Sequence, residues 1–170
     1  YEGLIDGEMI SMDSRSVAGI IHRGGTILHT SRSKRLLTVE GRSMAMDQLT
    51  SAGVDALVIS GGDGSFRGAE KLHESGLPVV GIPGTIDNDI AGTDETIGYD
   101  TALNTSLDAV ARLRDTASSH DRLFIVELMG RDSGFIALEV GLACGAEAVV
   151  IPETGLDLAD LARSEEHTSE

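Results

Sequence analysis

Two aspartates, Asp87 and Asp89, stand either side of Asn88 in the stretch Pro83–Ile90 (PGTIDNDI). A carboxylate at hydrogen-bond reach can take the proton of a hydroxyl that attacks a phosphoryl group. The same pattern also suits a plain turn, since Asn and Asp favour turns for local reasons. A second stretch, Gly61–Ser65 (GGDGS), sets Asp63 among glycines. Glycines let backbone N–H groups turn toward an anion, and the amino end of a helix adds partial positive charge. A carboxylate in such a cradle opposes phosphate unless it carries a cation. Mg²⁺ shared between Asp63 and phosphate oxygens reconciles the two. The plainer reading is a tight strand-to-helix turn with Asp63 as the cap. A third stretch, Met129–Gly134 (MGRDSG), offers Arg131, whose guanidinium can grip a phosphate through paired N–H groups.

Each of these loops follows a short apolar run and precedes a helical pattern. Val54–Ser60 leads into GGDGS and a helix to about Glu74. Pro78–Ile82 leads into PGTIDNDI and then a long helical stretch, about Thr96 to Ala117. Leu123–Leu128 leads into MGRDSG and a helix to about Cys144, and Ala148–Ile151 reads as a further strand. Apolar runs without alternation predict strands buried on both faces. Strands alternating with helices predict an α/β fold, a mostly parallel sheet covered by helices on both sides. Right-handed crossovers put every strand-to-helix loop on one edge of that sheet, where α/β folds bind ligands. The three loops are therefore expected to face one crevice. Arg122, at the start of the third run, falls at the opposite edge and reads as a surface charge or a residue serving a neighbouring subunit.

Upstream, Leu36–Ala52 has helical spacing, with Leu37, Met44, Met46 and Leu49 available for burial. Gly24-Gly25 marks a turn, and the spacing leaves Arg32 unplaced. Arg112, Arg114 and Asp115 read as surface charges at a helix end.

The 170 residues suit one domain or most of one, and 3% aromatics leave the core to Leu, Ile, Val, Met and Ala. A net charge of −15 disfavours nucleic acid and anionic membranes as partners. A phosphate site must then rely on local arginines and backbone N–H groups. The single cysteine, Cys144, excludes a disulfide framework, fits a reducing cytoplasm, and reads as a small core residue. No apolar run reaches the length of a membrane span. Histidines 22, 29, 73 and 120 have no metal-ligand spacing. Residues 164–170 (SEEHTSE) are polar and aperiodic, read as a disordered or artefactual tail, and are set outside the fold.

GGDGS, GIPGTIDNDI, TIGYDTAL and MGRDSGFIAL, in this order and spacing, resemble the bacterial ATP-dependent 6-phosphofructokinases. The resemblance runs from Tyr1 to about Leu161, within an incomplete phosphofructokinase domain expected over residues 1–163. It implies a Rossmann-like, three-layer fold. It implies the transfer of a phosphoryl group from MgATP to the 1-hydroxyl of fructose 6-phosphate, in glycolysis. By resemblance Asp87 is the catalytic base; Thr85, Ile86 and Asp87 line the sugar site; Asp89 arranges the metal–phosphate geometry; Asp63 is the magnesium-linked aspartate. Gly62, Gly64, Ser65, Arg32, Ser33 and Tyr1 resemble ATP contacts. Met129, Gly130 and Arg131 resemble sugar-phosphate contacts, and Arg131 would stabilise charge in the transition state. Arg122 resembles an arginine donated across a subunit interface of a homotetramer. Arg114, Gly145, Ala146 and Glu147 match parts of an effector site.

Pyrophosphate-using relatives typically carry a bulkier acidic residue in place of Gly64 and a lysine in place of Gly84. Both are glycine here, which points to ATP. The family's opening GGDAPG-type loop and its carboxyl-terminal half have no counterpart in these residues, and the effector-site arginine expected near Ser14 is absent. The 170-residue chain by itself is therefore expected to be inactive. The competing readings are a lipid or NAD kinase, against which PGTIDNDI and MGR speak, a pyrophosphate-dependent phosphofructokinase, and a non-catalytic nucleotide-binding module.

Overall fold

The computed structural model describes residues 1–120 and 123–155. The chain forms two compact units: residues 1–59 with 64–81, and residues 60–63 with 82 onward. The elements run α1 (Glu2–Asp6), a 3₁₀ turn (Arg35–Leu37), α2 (Val39–Ser51), β1 (Leu57–Gly61), α3 (Asp63–Glu74), β2 (Val79–Pro83), α4 (Tyr99–His120) and α5 (Phe135–Cys144).

β1 and β2 form a two-stranded sheet. The Leu57 amide donates to the Pro78 carbonyl at one end, and the Gly84 amide donates to the Gly61 carbonyl at the other. Both strands therefore advance in the same direction, with α3 as the crossover that a parallel pair requires. The expected α/β class stands. Two expected strands do not form: Leu123–Leu128 and Ala148–Ile151 have no ladder among the described residues. A strand is defined by its neighbour, and an extended run without one leaves its apolar side chains outside; Leu123 and Ile125 are accordingly exposed. Nor are β1 and β2 buried on both faces. Leu57 and Val79 pack inward while Val58 and Val80 are exposed, because successive side chains point to opposite faces and apolar helices cover only one.

In the first unit the core is Ile5, Leu36, Ala45 and Leu72, with Tyr1, Leu4, Met46, Leu57 and Val79 packed around it. α2 begins where Thr38 Oγ1 accepts the Gly41 amide at 3.0 Å, a side-chain cap for an otherwise orphaned donor. Leu49 is buried as expected, but Leu37 and Met44 are exposed. Leu37 lies in the 3₁₀ turn that precedes the helix rather than on its inner face. Arg35 ties this turn to α1, with ion pairs to Glu2 at 3.0 Å and Asp6 at 2.8 Å.

In the second unit Tyr99, Ile136 and Val140 form the core between α4 and α5, with Ile86, Leu128 and Cys144 among the residues packed on it. Tyr99 stands edge-on to Phe135 at 6.4 Å and donates to Glu139 at 2.7 Å, which satisfies its hydroxyl as burial pushes its pKa up. Gly145, at φ 65°, ends α5 in the left-handed conformation that a helix stop favours. Arg122 and residues 164–170 lie outside the described residues.

Candidate active site

The loop after β2 is anchored at both ends on the sheet. At its start the Gly84 amide meets the Gly61 carbonyl at 3.0 Å. At its finish the Ile97 amide donates to the carbonyl of Pro83, the last residue of β2, at 2.8 Å. The loop between carries Thr85, Ile86, Asp87 and Asp89. A Cβ added to Gly62 would lie 3.3 Å from the Thr85 Cβ, so Gly62 runs directly beside Thr85.

The third loop meets the second through Ser133, whose Oγ donates to the Asp87 carbonyl at 2.8 Å. Arg131, at φ 57°, sits at the tip of the turn closed by the Ser133 amide on the Gly130 carbonyl at 2.9 Å. Its guanidinium is largely exposed, and its charge reaches Asp87. Burial raises the Asp87 pKa above the ordinary aspartate range, the neighbouring Asp89 raises it further, and Arg131 opposes both. A half-buried carboxylate between a like and an opposite charge is the environment that tunes a general base. The three predicted loops thus come together: Gly62 against Thr85, Asp87 against Ser133 and Arg131. Met129 is exposed and Gly130 buried beside them.

Asp63, the first residue of α3, is followed by Gly64, where an added Cβ would meet nothing within 4 Å. At Gly84 an added Cβ would come within 2.6 Å of Ser60 Oγ. Gly64 therefore leaves open space, whereas Gly84 is held small by its neighbour. Among the described residues no three His, Cys, Asp or Glu side chains gather into a metal cage. Mg²⁺ binds through one or two carboxylates and completes its shell with phosphate oxygens and water, and Asp63 offers one carboxylate at the start of α3.

Of the remaining predicted nucleotide contacts, Tyr1, Arg32, Ser33, Gly64 and Ser65 belong to the first unit. The Tyr1 hydroxyl donates to the Ser65 carbonyl in the first turn of α3, and burial pushes its pKa up to about 12. Ser33 Oγ accepts the Leu36 amide at 3.2 Å, while Arg32 is exposed. Of the predicted effector residues, Arg114 donates to the Cys144 carbonyl beside Gly145, an arrangement that also places a cation at the carbonyl end of α5. Ala146 closes that helix end by donating to Gly141 at 2.9 Å, and Glu147 is exposed.

Two residues of the site were not singled out in the sequence: Ser133, for which no local signal exists, and Asn88. Asn88 has φ 53°, and its Oδ1 accepts the Thr96 amide at 2.9 Å. An Asn between two acids in a Gly-poor turn was the available signal, since Asn is among the few residues that enter the left-handed region readily.

A parallel strand pair, with Gly62 beside Thr85 and Asp87 held by Ser133 within reach of the Arg131 charge, defines an α/β protein. The model of the family described as phosphofructokinase matches residues 1–170, and the chain belongs to that family. It is 60% identical over 158 residues to ATP-dependent 6-phosphofructokinase 1 of Thermus thermophilus, covering 92% of this chain and 49% of that protein. It is 56% identical over 161 residues to the ATP-dependent 6-phosphofructokinase of Oceanobacillus iheyensis, covering 95% and 50%. The crystal structure of Pichia pastoris phosphofructokinase in the T-state superposes with a TM-score of 0.81 at 38% identity, over 86% of this chain and 18% of that one. The chain spans about half the length of the curated relatives it matches.

Proposed function

We propose that this chain supplies the base and part of the phosphate cradle of an ATP-dependent 6-phosphofructokinase. The reaction moves the γ-phosphoryl group of MgATP to the 1-hydroxyl of fructose 6-phosphate, giving fructose 1,6-bisphosphate and ADP. The observation that carries this reading is Asp87, half-buried, with a raised pKa and Arg131 within electrostatic reach. Asp87 takes the proton of the attacking hydroxyl, Thr85 and Ile86 position the sugar beside it, and Arg131 balances charge spreading over the transferred group. Asp89 keeps Asp87 basic by raising its pKa. Asp63 would hold Mg²⁺, which when bound neutralises phosphate charge. Met129, Gly130 and Arg122 would contact the sugar phosphate. Tyr1, Arg32, Ser33, Gly62, Gly64 and Ser65 would contact ATP.

The high identity to proteins named ATP-dependent supports ATP over pyrophosphate as donor. The whole protein is proposed to be a cytoplasmic homotetramer of glycolysis, with an effector held near Arg114, Gly145, Ala146 and Glu147. No described helix is long and apolar enough to cross a membrane. The test is an assay of fructose 1,6-bisphosphate formation on the whole protein with fructose 6-phosphate and either ATP or pyrophosphate. Turnover with ATP alone is expected; turnover with pyrophosphate alone overturns the choice of donor. The 170-residue chain by itself is expected to be inactive in the same assay.

A further inference from the structure

We propose that Asn88 is a positioning residue that transmits the rigidity of the β2 end to the catalytic carboxylate. The inference rests on the reading of Asp87 as the base. The loop from Gly84 to Ile97 has both of its ends pinned to strand residues. The base lies three residues past Gly84, on the side of the loop far in sequence from the second anchor at Ile97. Asn88 braces it there. Its Oδ1 accepts the Thr96 amide at 2.9 Å. Thr96 is buried, and the next residue, Ile97, is the one pinned to Pro83. The chain of contacts therefore runs from β2 through Ile97 and Thr96 to Asn88, one peptide from Asp87.

The backbone of Asn88 does the rest. At φ 53° it breaks the extended course of the chain between the two acids, which in a strand would share one face. Asp87 is turned into the half-buried environment that raises its pKa while Asp89 stays exposed. From the other side the Asp87 carbonyl is held by Ser133. Ser133 thus holds the base by its main-chain oxygen, and Asn88 braces the residue that follows it. Misplacing a catalytic group by about 1 Å is enough to lose about a hundredfold in rate.

The test uses the whole protein and two variants. Asn88→Gly keeps the left-handed backbone accessible and deletes the acceptor. It is expected to lower kcat at least about tenfold while KM for ATP and the thermal midpoint hold. Asn88→Asp keeps both the acceptor and the tolerance for positive φ, and is expected to recover about a third or more of the wild-type kcat. Wild-type kcat in Asn88→Gly overturns the proposal. So does a loss that moves KM for ATP and the thermal midpoint in step with kcat, or an Asn88→Asp variant no better than Asn88→Gly. A wild-type protein without fructose 6-phosphate kinase activity overturns the reading of Asp87 and this inference together; an active wild type with an indifferent Asn88→Gly overturns this inference alone.

Discussion

The Ser133 hydroxyl donates a 2.8 Å hydrogen bond to the main-chain oxygen of Asp87, so the loop that presents Arg131 holds the loop that presents the base. Ser133 is itself buried, and an orphaned carbonyl there would have little water to turn to. Ser133→Ala is expected to lower stability by about 1 kcal/mol, read from denaturant midpoints at constant slope. Ser133→Thr, which retains the hydroxyl, should recover part of it. A neutral Ser133→Ala would show that the two loops are held together by other contacts.

Asp87→Asn should separate activity from stability. Removal of a general base lowers kcat by about 10²–10⁴-fold. The stability effect has the opposite sign. The folded-state pKa of Asp87 is raised, so the folded protein binds this proton more tightly than the unfolded chain does. The favourable contribution is fully present below the unfolded pKa and is lost as pH rises through the folded one. At neutral pH the ionised carboxylate therefore works against the fold, and its replacement by the neutral amide should leave the thermal midpoint unchanged or higher. A variant both inactive and clearly less stable at neutral pH would mean that Asp87 is a structural group.

The same shift sets the pH profile. The acid limb of kcat/KM for fructose 6-phosphate is expected above the ordinary aspartate pKa of about 4. Asp89 raises the Asp87 pKa and Arg131 lowers it. Asp89→Asn should therefore move the limb to lower pH, and Arg131→Gln should move it to higher pH while also lowering kcat. Shifts in the same direction for both variants would exclude Asp87 as the group that titrates.

The loops of this site were legible in the sequence, and so were the helices after them, because glycines at strand ends and helical spacing are local signals. GGDGS and PGTIDNDI do flank one strand edge, with Gly62 beside Thr85. The strands were less legible. Leu123–Leu128 has strand composition, but composition does not supply a hydrogen-bonding neighbour, and among the described residues none pairs with it. Leu37 is apolar and in helical register, but a 3₁₀ turn rotates it away from the core. Asn88 and Ser133 act through partners 8 and 46 residues away, which no window of the sequence displays.

Gly64 and Gly84 can be told apart by experiment. A side chain at Gly64 would enter open space, so Gly64→Asp should fold normally. If that space receives the nucleotide, the added carboxylate should raise KM for ATP about tenfold or more by like-charge repulsion with phosphate. At Gly84 the nearest obstacle is Ser60 Oγ, so Gly84→Ala should lower stability first, by about 1–3 kcal/mol, and Ser60→Gly in the same protein should relieve it. A Gly64→Asp variant with unchanged KM for ATP would place the donor elsewhere.

Tyr1 offers a test of the nucleotide side that does not touch the base. Its ring lies against Gly68 of α3, where an added Cβ would come within 2.7 Å of Tyr1 Cε2 and 2.8 Å of Leu36 Cδ2. Its hydroxyl holds the Ser65 carbonyl in the first turn of the same helix. Gly68→Ala gains helix propensity, about 1 kcal/mol, but overpacking a filled core costs about 1–3 kcal/mol and displaces the ring. Strain matches or outweighs propensity, by up to about 2 kcal/mol, so stability alone is ambiguous and the informative readout is binding. If Tyr1 contacts the nucleotide, Gly68→Ala should raise KM for ATP several-fold and leave KM for fructose 6-phosphate alone. Tyr1→Phe keeps the ring in place and removes only the hydrogen bond, so it should show a smaller rise. Equal changes in both KM values would mean that the ring supports the fold of its unit and touches no ATP.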